Sequence, residues 1–305
     1  MDIRYISESI IKTYTTKINE LPKDKGRHFL YRAWLATGKE DLKKQLFELA
    51  YDYTKEKGIK EINSFLEDPK NYFQKKQGEV ERYKSRKIND TQKRQQWLRR
   101  IDLYSYHCLI WYMYYMNVFG VLKKQMRQEL FSAYPEKVLT DSRFVLYATV
   151  SATNTAYLSK QFNIADIIDD YLNLFTEIFN NKLLADDEIF NNYVYGLTHI
   201  IIGDSNFYQQ QVQRAKYRWV GEAFNRLTDD IFTRLSLDIN VEVALCMKML
   251  GMENRAYIES VNKRVEDNFS LSKGYILREE NNSFEFAEHT NAVTLLLFNF
   301  RKLQL

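Results

Sequence analysis

The sequence predicts an all-α chain built from helical hairpins, and three observations carry that prediction. Helix breakers are scarce, with 10 Gly and 3 Pro (Pro22, Pro69 and Pro135) in 305 residues and no Ser/Gly-rich or Pro-rich linker. Large amphipathic rings are abundant, with 22 Tyr and 19 Phe available to fill a core. Apolar residues recur at helical spacing on either side of turn residues that themselves recur along the chain. The scarcity of linkers favours a single domain over residues 1–305.

The first hairpin lies in "HFLYRAWLATGKEDLKKQLFELAYDYTKEKG", residues 28–58. Phe29, Leu30, Ala33, Trp34 and Ala36 precede Gly38, and Leu42, Leu46, Leu49, Ala50 and Tyr53 follow it on one face. Glycine suits the turn because a helix C-cap usually needs a left-handed residue. A second copy runs through "VEVALCMKMLGMENRAYIESVNKRVEDNF", residues 241–269, turning at Gly251. The third, residues 144–179, turns at Asn163, the residue type that best replaces glycine in that conformation. A fourth first helix starts near Ile189, and a last helix, "FAEHTNAVTLLLFNFRKL", has no partner after it. Measured at Phe144, Ile189, Asp238 and Ala287, the first helices start 45, 49 and 49 residues apart, a period that signals stacked hairpins. About ten to thirteen helices are expected, with one short extended piece at residues 272–286, "SKGYILREENNSFEF".

Residues 59–95 are the least regular part and are expected to form a basic insertion. Within 75–100 stand ten Lys/Arg against three acids, which leaves the remainder slightly acidic although the whole chain carries +4. Such a strip suits a partner protein's acidic face, or a solvated helix face that binds nothing. No zinc-finger, RNA-recognition or helix-turn-helix pattern accompanies it, which argues against nucleic acid. Cys108 and Cys246 lie in apolar helical runs and read as buried thiols of a reducing compartment. The N-terminus lacks the uninterrupted apolar core of a signal peptide. The apolar stretch 104–122 holds Ser105, His107, Asn117 and several tyrosines, which marks a buried central helix and no membrane span. The expected location is therefore cytoplasmic.

The pattern "aTGkeDL", "DINVEVALCMKMLG", "GYI" and "F.F.EHTNAV" resembles repeats of α/α-toroid and α/α-barrel proteins, in which inner and outer helices alternate around a cavity. More loosely, "HFLYRAW", "YGLTHIII" and "EHTNAVTLLLF" look like an uncharacterised bacterial family of helical proteins. The toroid likeness covers residues 28–58 and 142–305 well and residues 59–141 poorly. It implies an α/α toroid or incomplete α/α barrel with a polar, aromatic-lined central cavity. Toroid cavities process glycans or cyclise terpenes, and the fold also serves inhibitors and scaffolds, so the likeness names no reaction. The acidic motif of protonating terpene cyclases has no match, since "DIIDDYLN" puts Asp166, Asp169 and Asp170 on an outer helix.

Three of the four histidines, His28, His199 and His289, fall at comparable places in or just before first helices. A toroid would gather such positions at one mouth. His199 is followed by Asp204, Ser205 and Tyr208, so a base, a carboxylate and a phenol lie close in sequence. His199, Asp204 and Glu242 are the catalytic candidates; His28, Arg32, Tyr208, Glu288, His289 and Asn291 are the ligand-binding candidates. Each has a structural alternative: a histidine satisfied within the core, Asp204 and Ser205 as a helix cap, Glu242 as a complement to the helix dipole. No HExxH, GxSxG, phosphate-binding loop or dinucleotide fingerprint is present, and neither a metal nor a cofactor is implied. The expected activity is acid–base hydrolysis or elimination on a small sugar-like or peptide-like ligand. The rival reading is a non-catalytic repeat scaffold that holds a partner protein through a groove or the basic strip.

Overall fold

Gly38 and Gly251 end helices in the left-handed conformation, at φ 67° and 66°, and Asn163 turns at φ 55°. These are the three turns on which the hairpin pattern rests. The computed structural model describes residues 2–82, 91–122, 132–180, 184–278 and 282–300. Sixteen α-helices occur among the described residues, more than the pattern predicts. They are α1 (Ile3–Thr16), α2 (Lys23–Thr37), α3 (Glu40–Glu67), α4 (Pro69–Arg82), α5 (Thr91–Arg99), α6 (Ile101–Val118), α7 (Ala133–Leu139) and α8 (Ser142–Tyr147). The series continues with α9 (Thr149–Gln161), α10 (Ile168–Asn180), α11 (Asp187–Asp204), α12 (Arg218–Arg226), α13 (Thr228–Arg234), α14 (Leu237–Leu250), α15 (Arg255–Asn268) and α16 (Phe284–Phe298). The extended piece is an antiparallel pair, β1 (Phe269–Ser270) with β2 (Tyr275–Ile276), in register Phe269 to Ile276 and Ser270 to Tyr275. No helix among the described residues is long and apolar enough to cross a membrane.

The chain divides into two compact units, one of residues 1–53 with 204–305 and one of residues 54–203. In the first, α16 packs on both α2 and α14, and α1, α15 and β2 pack around them. Tyr14 of α1 is stacked between Phe29 of α2 and Phe284 of α16, with ring centroids 4.3 Å apart on each side. Its hydroxyl donates to Phe284 O at 3.1 Å. Asn240, fully buried on α14, donates to the carbonyls of Ile231, Leu235 and Ser236 and accepts from Tyr257 Oη at 2.8 Å. These bonds tie α14 to α15 and to the end of α13. Both α14 and α16 are buried on nearly every face, although they carry Asp238, Glu242, Glu288, Thr290 and Asn291. Polar groups on such helices must find partners inside the protein, because water does not reach them.

The second unit is organised around α6 and α9, with α4, α5, α7, α8 and α10 packed on one or both. The sequence pattern predicts one helix from Phe144 to Phe162, whereas the chain breaks it at Ala148 (φ −114°, ψ 38°) into α8 and α9. Thr149 Oγ1 donates back to the carbonyls of Val145 (2.6 Å) and Leu146 (3.0 Å), a local bond that competes with the helical ladder and explains the break.

Residues 59–82 differ from the expected irregular insertion. α3 runs on to Glu67, Asp68 caps the next helix by accepting from Asn71 N at 3.0 Å, and Pro69 opens α4, where its missing N–H costs nothing. α4 buries Tyr72, Lys76 and Val80, so it has an inner face that its charge conceals. Several cations of the strip are engaged internally. Lys75 and Lys76 bind Glu61, Arg99 and Arg100 bind Asp141 at 2.6 Å each, and Arg94 donates to the carbonyls of Val80 and Glu81. The middle of the strip, residues 83–90, lies outside the described residues.

Candidate functional site

Three packed helices of the first unit converge their ionisable side chains. α2 supplies His28 and Arg32, α14 supplies Asp238 and Glu242, and α16 supplies Glu288 and His289. His28 and His289 stack with ring centroids 5.2 Å apart at an interplanar angle of 27°. Each uses Nδ1 on a different carboxylate: His28 on Glu288 Oε1 at 2.6 Å, His289 on Asp238 Oδ1 at 2.8 Å. Asp238 Oδ1 also accepts from Thr290 Oγ1 at 2.9 Å, which holds the carboxylate in place. His289 Nε2 lies 3.6 Å from Glu242 Oε1. The imidazoles reach solvent, with side chains 20% and 28% exposed, while the side chains of Glu288, Asp238 and Glu242 are 4%, 8% and 1% exposed. Carboxylates form the floor and imidazoles the mouth.

The two dyads carry opposite protonation. Burial lowers the His28 pKa well below the usual imidazole value, and Arg32, His289 and Arg27 add to the effect. Burial likewise raises Glu288, which His289, Arg32 and Lys25 hold back to about 7. A Glu288 carboxyl that titrates near neutrality donates O–H to His28 Nδ1 when protonated and accepts N–H from it when ionised, so the proton between them can sit on either group. In the other dyad burial opposes charge on His289, but the Asp238 carboxylate outweighs it and raises the pKa. Burial also opposes charge on Asp238, and His289 more than reverses that, so its carboxyl lies below the usual range. The result is a neutral, proton-sharing dyad stacked on an ionic one.

A second feature lies on the same unit after α11. Asn206, Phe207 and Tyr208 all have positive φ, at 50°, 54° and 73°. Three consecutive non-glycine residues in this region cost about 1 kcal/mol or more each unless the surroundings enforce them. The surroundings do: Ser205 Oγ accepts from Tyr208 N at 2.9 Å, and Ser205 O accepts from the amides of Gln209 and Gln210. Asp204 Oδ2 accepts from Gln213 N at 2.8 Å, and Asp204 O accepts from Gln210 Nε2 at 2.7 Å. The turn places the Tyr208 ring under the Arg32 guanidinium, 5.7 Å from centroid to carbon.

The first unit therefore holds most of the residues that the sequence singles out. His28, Glu288, His289 and Glu242 join in one cluster, and Arg32 meets Tyr208 beside it. Asp204 organises the left-handed turn. Asn291 spends its amide on the backbone, accepting from Ile276 N at 2.9 Å and donating to the carbonyls of Ile276 and Ala287, which pins β2 to α16. His199 belongs to the second unit, where Nδ1 meets Asn154 Oδ1 at 2.9 Å and the ring sits edge-on to Tyr195. Asp238 is the cluster residue that sequence reasoning misses, although its i,i+4 spacing to Glu242 in the otherwise apolar "LDINVEVALCM" is a legible signal. Among the described residues no group of three or more His, Cys, Asp or Glu is arranged to hold a metal ion.

A family model described as a domain of unknown function, DUF3541, matches residues 4–305. The chain belongs to the DUF3541 family. The match spans both units. No curated protein and no solved structure matches the chain.

Proposed function

We propose that the histidine–carboxylate cluster of this DUF3541 chain is an acid–base site that hydrolyses, or eliminates from, a small sugar-like or peptide-like ligand. The observation that supports it is the stacking of one neutral His–carboxyl dyad on one ionic dyad at a solvent-reaching mouth. Groups whose environments push their protonation apart can divide the roles of acid and base. Glu288 and His28 hold a proton that can leave or return near neutrality, His28 presenting it to solvent through its outward nitrogen. His289, kept charged by Asp238, stabilises negative charge that develops on the ligand, and Glu242 steadies its other nitrogen. Arg32 and Tyr208 position the ligand. The carboxylates and the aromatic wall favour a sugar, and α2, α14 and α16 are the helices that a toroid would place innermost. His199, with Asp204 as partner, is the further acid–base candidate that the sequence suggests, and its variant belongs in the same assay.

The test is a panel of glycosides and small peptides assayed for bond cleavage with the wild type, Glu288→Gln and His289→Ala. Either variant is expected to lower kcat/KM by roughly 10²-fold or more, and the wild-type pH profile should bend near the Glu288 value of about 7. Cleavage that survives both substitutions removes the cluster from the chemistry. Variants that alter stability alone, with no substrate turned over by the wild type, return the protein to the scaffold reading.

A further inference from the structure

Beside the left-handed turn is a cavity of about 450 Å3, bounded by Tyr208, Gln210, Gln211, Arg214 and Met249, with Phe300 at one side. That volume lies in the range of small-molecule sites, roughly 300–1,000 Å3. Tyr208 and Met249 are buried and form an apolar wall, whereas Gln210, Gln211 and Arg214 stand at the open rim. The acid–base reading shares only Tyr208 with this pocket and uses none of its other lining residues.

Arg214 is held in a particular pose. Its Nε donates to Met249 O at 3.3 Å. Its Nη1 lies over Gly251, where a Cβ would come within 2.9 Å. Gly251 is required by its φ of 66°, and the guanidinium packs against it. The arginine is anchored through Nε at the C-terminal end of α14, and its exposed side chain lines the cavity.

We propose that this pocket binds the carboxylate of a small polar ligand, a sugar acid or a peptide C-terminus, on the fork of Arg214 with the body of the ligand against Tyr208. A planar guanidinium fork matches a carboxylate with two parallel N–H···O bonds. The adjoining helix end is a C-terminus, whose partial negative charge disfavours a dianion such as phosphate, while one arginine balances one carboxylate. Gln210 and Gln211 line the exposed rim and make it a polar surface for hydroxyl or peptide groups beyond the carboxylate. The strained turn keeps Tyr208 in place as the wall, which gives its three left-handed residues a use.

The experiment titrates the full chain calorimetrically with glucuronate against glucose, with an N-acetylated dipeptide carboxylate against its amide, and with inorganic phosphate. One carboxylate should bind about tenfold or more tightly than its neutral counterpart, and which of the two does so identifies the source. That advantage should vanish in Arg214→Ala, persist in part in Arg214→Lys, and remain in Glu288→Gln. Equal binding of both carboxylates and their neutral counterparts, an advantage that survives Arg214→Ala, or phosphate binding more tightly than either carboxylate would each overturn the proposal. The Glu288→Gln arm separates the two readings, since loss of turnover with retained binding leaves this pocket standing and a loss of carboxylate preference leaves the acid–base site standing.

Discussion

Around Glu61 in the second unit, a buried carboxylate meets two ammonium groups and a phenol. Lys75 reaches it at 2.8 Å, Lys76 at 2.9 Å and Tyr72 Oη at 2.9 Å, and Lys76 makes a further bond to Glu79 at 2.9 Å. Burial pushes Glu61 up, but the lysines overwhelm it and bring its pKa down to about 2. Burial also works against Lys76, and Cys108, Glu61 and Glu79 together hold it above the ordinary amine range. No proton moves there at any ordinary pH. The cluster of Glu288, His28, His289 and Asp238 in the first unit is equally buried at its floor, yet one carboxyl titrates near neutrality. The difference lies in the partner. Ammonium groups lock a carboxylate into its charge, whereas beside an imidazole whose own charge is opposed by burial the carboxyl keeps its proton up to about neutrality. Burial of charge alone therefore says little about function; whether the partner carries a fixed charge says more.

The largest test removes the locked side. Glu61→Ala leaves the buried Lys76 with Glu79 as its remaining carboxylate and takes the acceptor from Tyr72 Oη, and should cost about 3 kcal/mol in chemical denaturation. A loss under about 1 kcal/mol would mean that the cluster is loosely solvated, and the contrast would fail.

A smaller, pH-dependent effect is expected on the poised side. Glu288 has a folded pKa raised to about 7 from 4.5, so the folded state binds the extra proton between these values and stability falls as pH rises through that window. The total loss is on the order of 3 kcal/mol at most. Glu288→Gln keeps a neutral side chain and should show a flatter profile, measured by urea denaturation from pH 4 to 8. An unchanged slope would place the titrating group elsewhere.

The smallest expected effect is at Asp238. Its folded pKa is depressed and that of His289 is raised. The pair's contribution is thus present above the unfolded carboxylate value and below the unfolded imidazole value, and is lost as pH falls through the folded Asp238 value or rises through the folded His289 value. Asp238→Asn should cost about 1 kcal/mol near pH 5.5, and NMR titration should find the His289 pKa lowered. A His289 value that stays raised would show that Glu242 holds the charge instead.

Much of the fold is legible because its signals are local. Gly38, Gly251 and Asn163 mark turns through a backbone conformation that few residues tolerate, and "GYI" in residues 274–276 marks the strand through its neighbours. α4 is not legible in this way, because what buries its inner face lies elsewhere in the chain. Lys76 is buried only because Glu61, fifteen residues earlier on another helix, neutralises it, and a charged run reads as exposed until that partner is in place. The site is legible in part for the same reason. His28, Glu288 and His289 stand out by residue type and position in the repeat, but their pairing with Asp238 depends on the packing of α14 against α16. The left-handed run at Asn206, Phe207 and Tyr208 has no composition signal, because no glycine marks it.

The division of the chain also sets an order of assembly. Residues 54–203 form one uninterrupted stretch, while the unit that carries the histidine cluster is assembled from residues on both sides of it. His28 is made before the second unit, and its partner Glu288, 260 residues away, after it. The second unit has all its residues in hand long before then and can fold as the nascent chain grows. The first must wait for α16, and closing so distant a contact is slow. Until α16 arrives, Asp238 lacks His289 and His28 lacks Glu288, so neither dyad exists before that helix is made.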